Sequence, residues 1–191
     1  MSDSFEGITI IGLGPAHADL ITMQTMNWLN QISDLYLRTA QHPAVAGLPR
    51  SLNLHSFDYL YQGHEDFEEV YKAIVSEVIG RAKKDGSITY AVPGHPFVAE
   101  STTPAILELS KLAGINTRVF EAVSFLEPTF SALKLDPFTS ITLMDALEIA
   151  SANFPQLPPN RPVLISQLYS RMVAAEVKQT LMEIFPDEHP V

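Results

Sequence analysis

The sequence predicts an α/β fold in two lobes, the first of which is built on a parallel sheet. Short runs of β-branched and other apolar residues alternate with segments of helical periodicity up to Phe120. The connections between these runs are long enough to hold a helix, and this order predicts parallel strands with right-handed crossovers. Beyond Phe120, proline-bearing stretches separate the elements, which indicates a smaller α/β second lobe.

Seven elements are expected in the first lobe. The first strand is β-branched and ends abruptly at Gly12-Leu13-Gly14-Pro15, which is typical of a buried strand that enters a tight loop. Asp19 or Thr22 can cap the helix that follows. His42-Pro43 is expected to be a loop, because the residue before proline disfavours the helical region. The periodicity places strands at 7–11, 35–37, 87–92 and 117–120, and helices at 20–31, 66–84 and 101–112.

The helix that begins at Asp66 has the clearest pattern. Lys83 and Lys84 near its end, and Gly86 just beyond, are typical of a helix C-terminus. Glu65, Glu68 and Glu69 then fall on a solvated face. One continuous apolar face is formed at three- and four-residue spacing by Phe67, Val70, Tyr71, Ile74, Val75, Val78 and Ile79.

The second lobe is expected to hold strands at 141–144 and 163–166 and a helix at 171–184. We therefore divide the chain into lobes of residues 1–121 and 122–191. The segment 186–190 is turn-like and Val191 stands where another strand should begin, so the second lobe is expected to be truncated. An unpaired sheet edge predicts that this chain is part of a longer protein or forms a dimer that covers the edge.

Composition excludes several classes of protein and site. The chain contains no cysteine, which removes disulfides and thiolate chemistry and fits a cytoplasmic protein. Its formal charge of −10 repels phosphate backbones, so no nucleic-acid partner is expected. The N-terminus lacks the basic patch of a signal peptide, and no apolar stretch approaches the ~20 residues of a membrane span, so no membrane association is expected.

Two glycine-bearing loops follow predicted strands. Gly12-Leu13-Gly14-Pro15 follows the strand at 7–11, and Pro93-Gly94-His95-Pro96 follows the strand at 87–92. In open α/β sheets, ligands bind outside the carboxyl ends of the strands, where glycines let a ligand approach the backbone. Together the loops predict a small-molecule cleft. Two alternatives stay open, namely a tight first turn without a ligand and a rigid second turn in which His95 caps backbone groups.

The first loop does not match the dinucleotide-binding fingerprint. The third glycine of G-x-G-x-x-G falls on His17, and the second strand ends in Leu37-Arg38 without an acidic partner for a ribose. This pattern disfavours NAD, although Arg38 leaves an NADP site open.

No metal site and no catalytic residue can be assigned from the sequence. Three histidines, His42, His55 and His64, lack the paired spacing of metal ligands. No G-x-S-x-G elbow is present that would present a serine as a nucleophile.

Several strings along the chain resemble the tetrapyrrole methylases. Residues 8–22 resemble the family's first motif, usually G-x-G-P-G-D-P-x-L-x-T, and residues 92–102 its second, usually G-D-P before a small apolar residue. The resemblance is closer to one subgroup, the YabN-like domain that is fused ahead of a MazG-type nucleotide pyrophosphohydrolase. The strings that carry it are LRTAQHP (37–43), FDYLY (57–61), DFEEVY (66–71), YAVPGHP (90–96), VSFL (123–126) and EIFPDEHPV (183–191).

This resemblance implies a two-lobed protein that binds S-adenosylmethionine between its lobes and forms a homodimer. The family's contacts with the cofactor are largely backbone contacts, which agrees with the glycines and prolines of the two loops. Adding the positions that match two further family contacts gives the candidate cofactor-binding residues: Gly12, Gly14, Pro15, Gly94, His95, Val98, Ser124, Phe125, Gln167 and Leu168.

The chain departs from the family pattern at two places. Ala16-His17 stands where Gly-Asp is usual, and His95 stands where the second motif has Asp, so an imidazole replaces a carboxylate. The leading hypothesis is a methyltransferase of unknown small-molecule acceptor, with Asp58, Tyr59 and Tyr61 either lining the acceptor side or packing under a loop. The alternative is a non-catalytic ligand-binding or regulatory module of an attached MazG-type pyrophosphohydrolase.

Overall fold

The computed structural model of the chain describes residues 5–63, 66–152, 155–158 and 160–189. These residues form seven strands and seven α-helices. The strands are β1 (Gly7–Gly12), β2 (Asp34–Leu37), β3 (Asn53–Ser56), β4 (Ser87–Val92), β5 (Thr117–Phe120), β6 (Thr142–Asp145) and β7 (Val163–Ser166). The helices are α1 (Met23–Leu29), α2 (Asp58–Tyr61), α3 (Phe67–Asp85), α4 (Thr102–Leu112), α5 (Leu126–Leu133), α6 (Ala146–Ser151) and α7 (Arg171–Met182). Short 3₁₀ helices occupy Ala18–Leu20, Pro43–Gly47 and Pro137–Thr139.

The chain divides into two compact units, Met1–Thr129 and Phe130–Val191. The sequence places the junction near residues 121–126, and the division in the structure falls inside helix α5. The sequence does not predict this helix, because residues 126–137 form a proline-bearing stretch without a clear helical period. Pro128 lies in the first turn, where the backbone N–H has no partner within the helix and proline is tolerated.

A parallel five-stranded sheet of order β3-β2-β4-β1-β5 organises the first unit. Each neighbouring pair is parallel, which confirms the predicted topology. All six residues of β1, which lies between β4 and β5, are buried, as its β-branched run predicted. The edge strand β3 was missed, because its residues Asn53, Leu54 and His55 are exposed and carry no apolar pattern.

Alternate residues of β1 enter two separate cores. Ile8 and Ile10 pack with Ile74 of α3 and Ile106 of α4 on one face of the sheet. The other face is covered by the segment that contains α1 and the 3₁₀ helix Pro43–Gly47, and Ile11 packs there. Each aliphatic side chain that is fully buried in this way contributes about 1.5–3 kcal/mol to the free energy of unfolding. The two covered faces leave the strand ends as the place for a site.

Helix α3 begins and ends as its sequence predicts. Asp66 accepts a hydrogen bond from the backbone amide of Glu68 at 3.0 Å, and Gly86 closes the helix with a left-handed φ of +77°. The predicted apolar face is buried except for Tyr71, which is half-buried, and Phe67, which is 52% exposed. Glu68 and Glu69 are solvated as expected, and Glu65 and His64 lie outside the described residues.

In the second unit, β6 and β7 form a two-stranded parallel sheet. Helices α6 and α7 cover one face of it through Ala146, Ile149, Val173 and Val177. Helix α6 was not predicted. It begins because Asp145 accepts a hydrogen bond from the amide of Leu147 at 2.7 Å. The further strand that the sequence predicts at Val191 lies outside the described residues.

Candidate functional site

The two glycine loops are joined directly at the carboxyl edge of the sheet. The amide of Gly94 donates to the carbonyl of Gly14 at 2.8 Å, and the amide of Gly14 donates to the carbonyl of Gly94 at 3.2 Å. The amide of Leu13 also donates to the carbonyl of Val92 at 2.9 Å, which continues the pairing of β1 with β4 into the loops. The loops therefore form one continuous surface.

Gly12 lies where three chain segments meet. A Cβ atom built there would lie 2.3 Å from the carbonyl oxygen of Gly94, 2.5 Å from the Cβ of Ala122 and 2.9 Å from the Cδ of Pro96. These neighbours belong to the segments that follow β4 and β5. Gly12 is thus required for close packing between loops, and its Cα faces protein.

Gly94 differs from the other loop glycines in the space around it. Its φ is +69°, a left-handed conformation that favours glycine, and a Cβ built there would meet nothing within 4 Å. Gly14 also has a positive φ of +75°, but its Cβ would lie 2.8 Å from the carbonyl oxygen of Leu20. Of these two positions, Gly94 is the one where a ligand has room to approach the backbone.

His95 closes the turn after Gly94. Its Nδ1 accepts a hydrogen bond from the amide of Phe97 at 3.0 Å, and its carbonyl accepts one from the amide of Val98 at 3.1 Å. His95 therefore caps a backbone group, as the alternative interpretation of this loop expected. Pro15 and Val98 are half-buried in the same two loops.

A third loop, which follows β5, lies beside His95. Ser124 is buried, and both its amide and its hydroxyl donate to Oε2 of Glu127, at 2.7 and 2.8 Å. Burial opposes ionisation of Glu127, but the hydrogen bonds from Ser124, together with the nearby His95, outweigh it and lower the pKa of Glu127. Phe125 is half-buried next to Ser124. The structure thus brings the first three groups of predicted residues together.

Gln167 and Leu168, the fourth group, follow β7 in the second unit. Gln167 has a φ of +68°, and Leu168 is 49% exposed. A left-handed conformation costs a non-glycine residue about 1–2 kcal/mol, and such strained residues cluster at functional sites.

Sequence reasoning missed an ion pair at the end of β2. Nη1 of Arg38 contacts Oε2 of Glu100, whose side chain is 1% exposed. Oε1 of Glu100 accepts from the amide of Thr102 at 2.8 Å and also from its hydroxyl, and the hydroxyls of Thr102 and Tyr90 lie 3.0 Å apart. The guanidinium of Arg38 is therefore committed to a buried carboxylate, which argues against the NADP site. The signal available in the sequence was Glu100 directly before a helix that begins with threonines.

The described residues contain neither a cluster of metal ligands nor a membrane-spanning helix. Within the described ranges, no group of three or more histidine, aspartate and glutamate side chains could hold a metal ion. No helix in the same part of the chain is long and apolar enough to cross a bilayer.

The chain matches known proteins along nearly its whole length. Residues 7–191 match the model of the tetrapyrrole (corrin/porphyrin) methylases. Over 185 residues the chain is 36% identical to the uncharacterized protein YabN of Bacillus subtilis (strain 168). This alignment covers 96% of the chain and 37% of that relative, so the chain spans little more than a third of the relative's length.

Solved structures share the fold at lower identity. Uroporphyrin-III C-methyltransferase of Thermus thermophilus has a TM-score of 0.64 at 19% identity, over 95% of this chain and 74% of that one. Another structure of that enzyme, in complex with S-adenyl homocysteine, has a TM-score of 0.60 at 15% identity, over 91% and 76% of the two chains. Diphthine synthase has a TM-score of 0.61 at 15% identity, over 92% of this chain and 70% of that one. The parallel sheet, its joined glycine loops and the match over residues 7–191 agree, and the chain belongs to the tetrapyrrole methylase family.

Proposed function

We propose that this chain binds S-adenosylmethionine at the carboxyl edge of its parallel sheet and transfers the methyl group to a small-molecule acceptor. The observation that carries the proposal is the reciprocal hydrogen bonding of Gly14 and Gly94, which joins the two glycine loops in a member of a methylase family. When bound, this cofactor supplies a methyl group that is already activated on a sulfonium. The protein then needs mainly to bind and orient the reactants.

The residues at the loops fit such a ligand. The open space at Gly94 lets a bulky molecule approach the backbone, and Pro93 and Pro96 keep the loop rigid on either side. The ionised carboxylate of Glu127 suits a positively charged ligand, because it favours a sulfonium over a neutral thioether. Pro15, His95, Val98, Ser124 and Phe125 belong to the same set of loops in the first unit.

The test is calorimetric titration with S-adenosylhomocysteine, the product of the transfer. Gly94→Val should abolish binding, because its side chain fills the open space. Gly86→Val is a matched control, since Gly86 has a similar φ of +77°, equally open surroundings, and lies at the other end of β4. Both variants should lose similar stability, and only Gly94→Val should lose binding. Equal affinity in a folded Gly94→Val protein would locate the ligand elsewhere.

A second candidate function is a non-catalytic ligand-binding or regulatory module of an attached MazG-type pyrophosphohydrolase. It is favoured by His95, an imidazole whose Nδ1 is already used by the amide of Phe97. The test is pyrophosphohydrolase activity of a full-length protein with and without S-adenosylmethionine. A response that survives Gly86→Val but not Gly94→Val would support regulation. Methyl transfer to an isolated acceptor would support the enzyme.

We further propose that the protein acts in the cytoplasm as a homodimer. The cysteine-free composition supports the compartment. The open edge of the β6–β7 sheet supports the dimer.

A further inference from the structure

Apart from the glycine loops, the first unit has a cavity of about 370 Å³ at the carboxyl ends of β2 and β3. We call it the β2–β3 cavity. It is formed by the loop 38–41, helix α2 with the residue after it, and the start of α3. Three sequence strings that are far apart along the chain, 37–43, 57–61 and 66–71, therefore meet around one space. None of these strings belongs to the glycine loops, so ligand binding at the loops does not explain why the strings meet.

The charged side chains around the β2–β3 cavity already have partners within the protein. Arg38 lines it, but its positive charge is matched by the buried Glu100. The carboxylate of Asp58 accepts from the amide of Ala40 at 2.9 Å and from the hydroxyl of Ser56. Burial opposes ionisation of Asp58, but these hydrogen bonds outweigh it and lower the pKa of Asp58. An anionic ligand would meet the charge of Asp58 without an uncompensated cation, so the lining disfavours an anionic ligand.

Aromatic rings form the walls of the β2–β3 cavity. The ring centroids of Tyr61 and Phe67 are 6.4 Å apart, and those of Phe67 and Tyr71 are 6.3 Å apart with planes inclined by 29°. Phe67 is 52% exposed although it belongs to the otherwise apolar face of α3. Aromatic walls of this kind favour a planar ring, which they contact by offset stacking or edge-to-face packing.

The polar groups of the cavity include both donors and acceptors. Burial raises the pKa of Tyr61 to about 12, so its hydroxyl remains a donor at neutral pH. Asp58 and Gln62 supply acceptor oxygens.

We propose that the β2–β3 cavity binds a neutral, planar heterocycle in which a ring carbonyl stands next to a ring N–H. The carbonyl would accept from the hydroxyl of Tyr61, and the N–H would donate to Asp58 or Gln62. The cavity volume lies near the lower end of the range of about 300–1,000 Å³ for ligand sites, which suits one or two fused rings. This proposal does not rest on cofactor binding at the glycine loops, because none of the cavity residues belongs to those loops.

The probe is 2-pyridone, which is a soluble single ring of this class. Binding is followed by saturation-transfer NMR and by amide shifts of the protein. We expect millimolar affinity, at least threefold weaker binding of 1-methyl-2-pyridone, which lacks the N–H, and at least threefold weaker binding of benzoate, which is anionic. Phe67→Ala should weaken 2-pyridone binding at least fivefold. Phe138→Ala, which removes a ring that is 96% exposed in the second unit, is the matched control and should bind normally.

Several results would overturn the proposal. These are no binding of 2-pyridone to the wild-type protein, equal affinity in Phe67→Ala, or benzoate binding as tightly as 2-pyridone. Tyr61→Phe removes only a hydroxyl, so it provides a second variant that tests the donor if Phe67→Ala unfolds. It should weaken binding at least twofold, and unchanged affinity would contradict the proposed donor. The titration with S-adenosylhomocysteine reports on the glycine loops, so failure of that titration is distinguishable from failure here.

Discussion

At the scale of single residues, Arg38 and Glu100 form an ion pair that is largely removed from water. The side chain of Glu100 is 1% exposed and that of Arg38 is 18% exposed. The exposed pair of Lys72 and Glu68, whose side chains are 71% and 72% exposed, offers a comparison within the same unit. Ion pairs in these two settings differ in energy, since removal of one partner leaves an uncompensated charge only in the buried pair.

We therefore expect Arg38→Ala to lower the free energy of unfolding by about 3–5 kcal/mol, the range for a buried pair that loses one partner. Lys72→Ala should leave the free energy of unfolding unchanged. Urea denaturation followed by circular dichroism measures both variants. Equal effects of the two substitutions would contradict the assigned role of Glu100.

Glu127 leads to a prediction about pH. Its pKa lies below the ordinary glutamate value of about 4.3 when the protein is folded, so the ionised form stabilises the fold. This contribution is complete above the unfolded pKa and disappears as the pH falls through the folded one. Glu127→Gln should therefore be less stable than wild type at pH 7, and the difference should shrink as the pH falls below the unfolded pKa and vanish below the folded one. A difference that does not change with pH would contradict this prediction.

Sequence reasoning located these residues only in part. It predicted that the loops containing Gly14 and Gly94 share one sheet edge, because strand ends in a parallel sheet do so. It did not predict their reciprocal hydrogen bonds or the pairing of Arg38 with Glu100. That pair is separated by 62 residues, and no local pattern links the two positions. Interactions of this kind depend on the register and on the assembled sheet.

At the scale of elements, strands with continuous apolar runs were predicted best. The strands β4, β5 and β7 have the predicted bounds, and β6 differs from its prediction by one residue at each end. The short elements were missed for separate reasons. The edge strand β3 is largely exposed, and helix α2 has only 4 residues and no side-chain cap. Helix α5 has a proline in its first turn, and helix α6 depends on a local cap. Tertiary packing fixes such elements, and their few residues give no period to read.

Helix α3 provides a prediction at this scale. Gly80 lies in its interior, is exposed, and has nothing within 4 Å of an added Cβ. Glycine in a helix interior is less stable than alanine by about 0.5–1 kcal/mol, because it loses more backbone freedom on folding. Gly80→Ala should therefore raise the free energy of unfolding by that amount, as measured in urea, without changing ligand affinity. A loss of stability would mean that the added methyl group meets a neighbour.

At the scale of the whole molecule, the second unit has an open sheet edge. Among the described residues, β7 pairs only with β6, and an apolar groove of about 820 Å³ runs beside it, lined by Val163, Ile165, Leu168, Leu181 and Phe185 among others. Two-stranded sheets are marginally stable alone, and open edges recruit other strands. These features support association of two copies through the second unit.

We expect sedimentation equilibrium to detect dimers of the 191-residue chain at micromolar concentration. Leu168→Lys, which adds a charge at the groove, should shift the equilibrium towards monomer at least tenfold. Leu112→Lys adds the same charge to a position that is 79% exposed at the end of α4 in the first unit, and should have no effect. A wild-type chain that stays monomeric at high concentration would contradict the dimer.

The strand order also determines how long the edges of β1 stay unpaired during translation. The strand β1 is synthesised first, yet its two neighbours in the sheet are β4 and β5, the last two strands of the unit to emerge. At about 5–20 residues per second, β1 waits on the order of ten seconds for both partners. During that time the nascent chain carries a β-branched segment with three isoleucines and two unpaired edges, which is a template for aggregation. Incomplete chains that terminate before Phe120 should therefore depend on chaperones far more than the finished protein does.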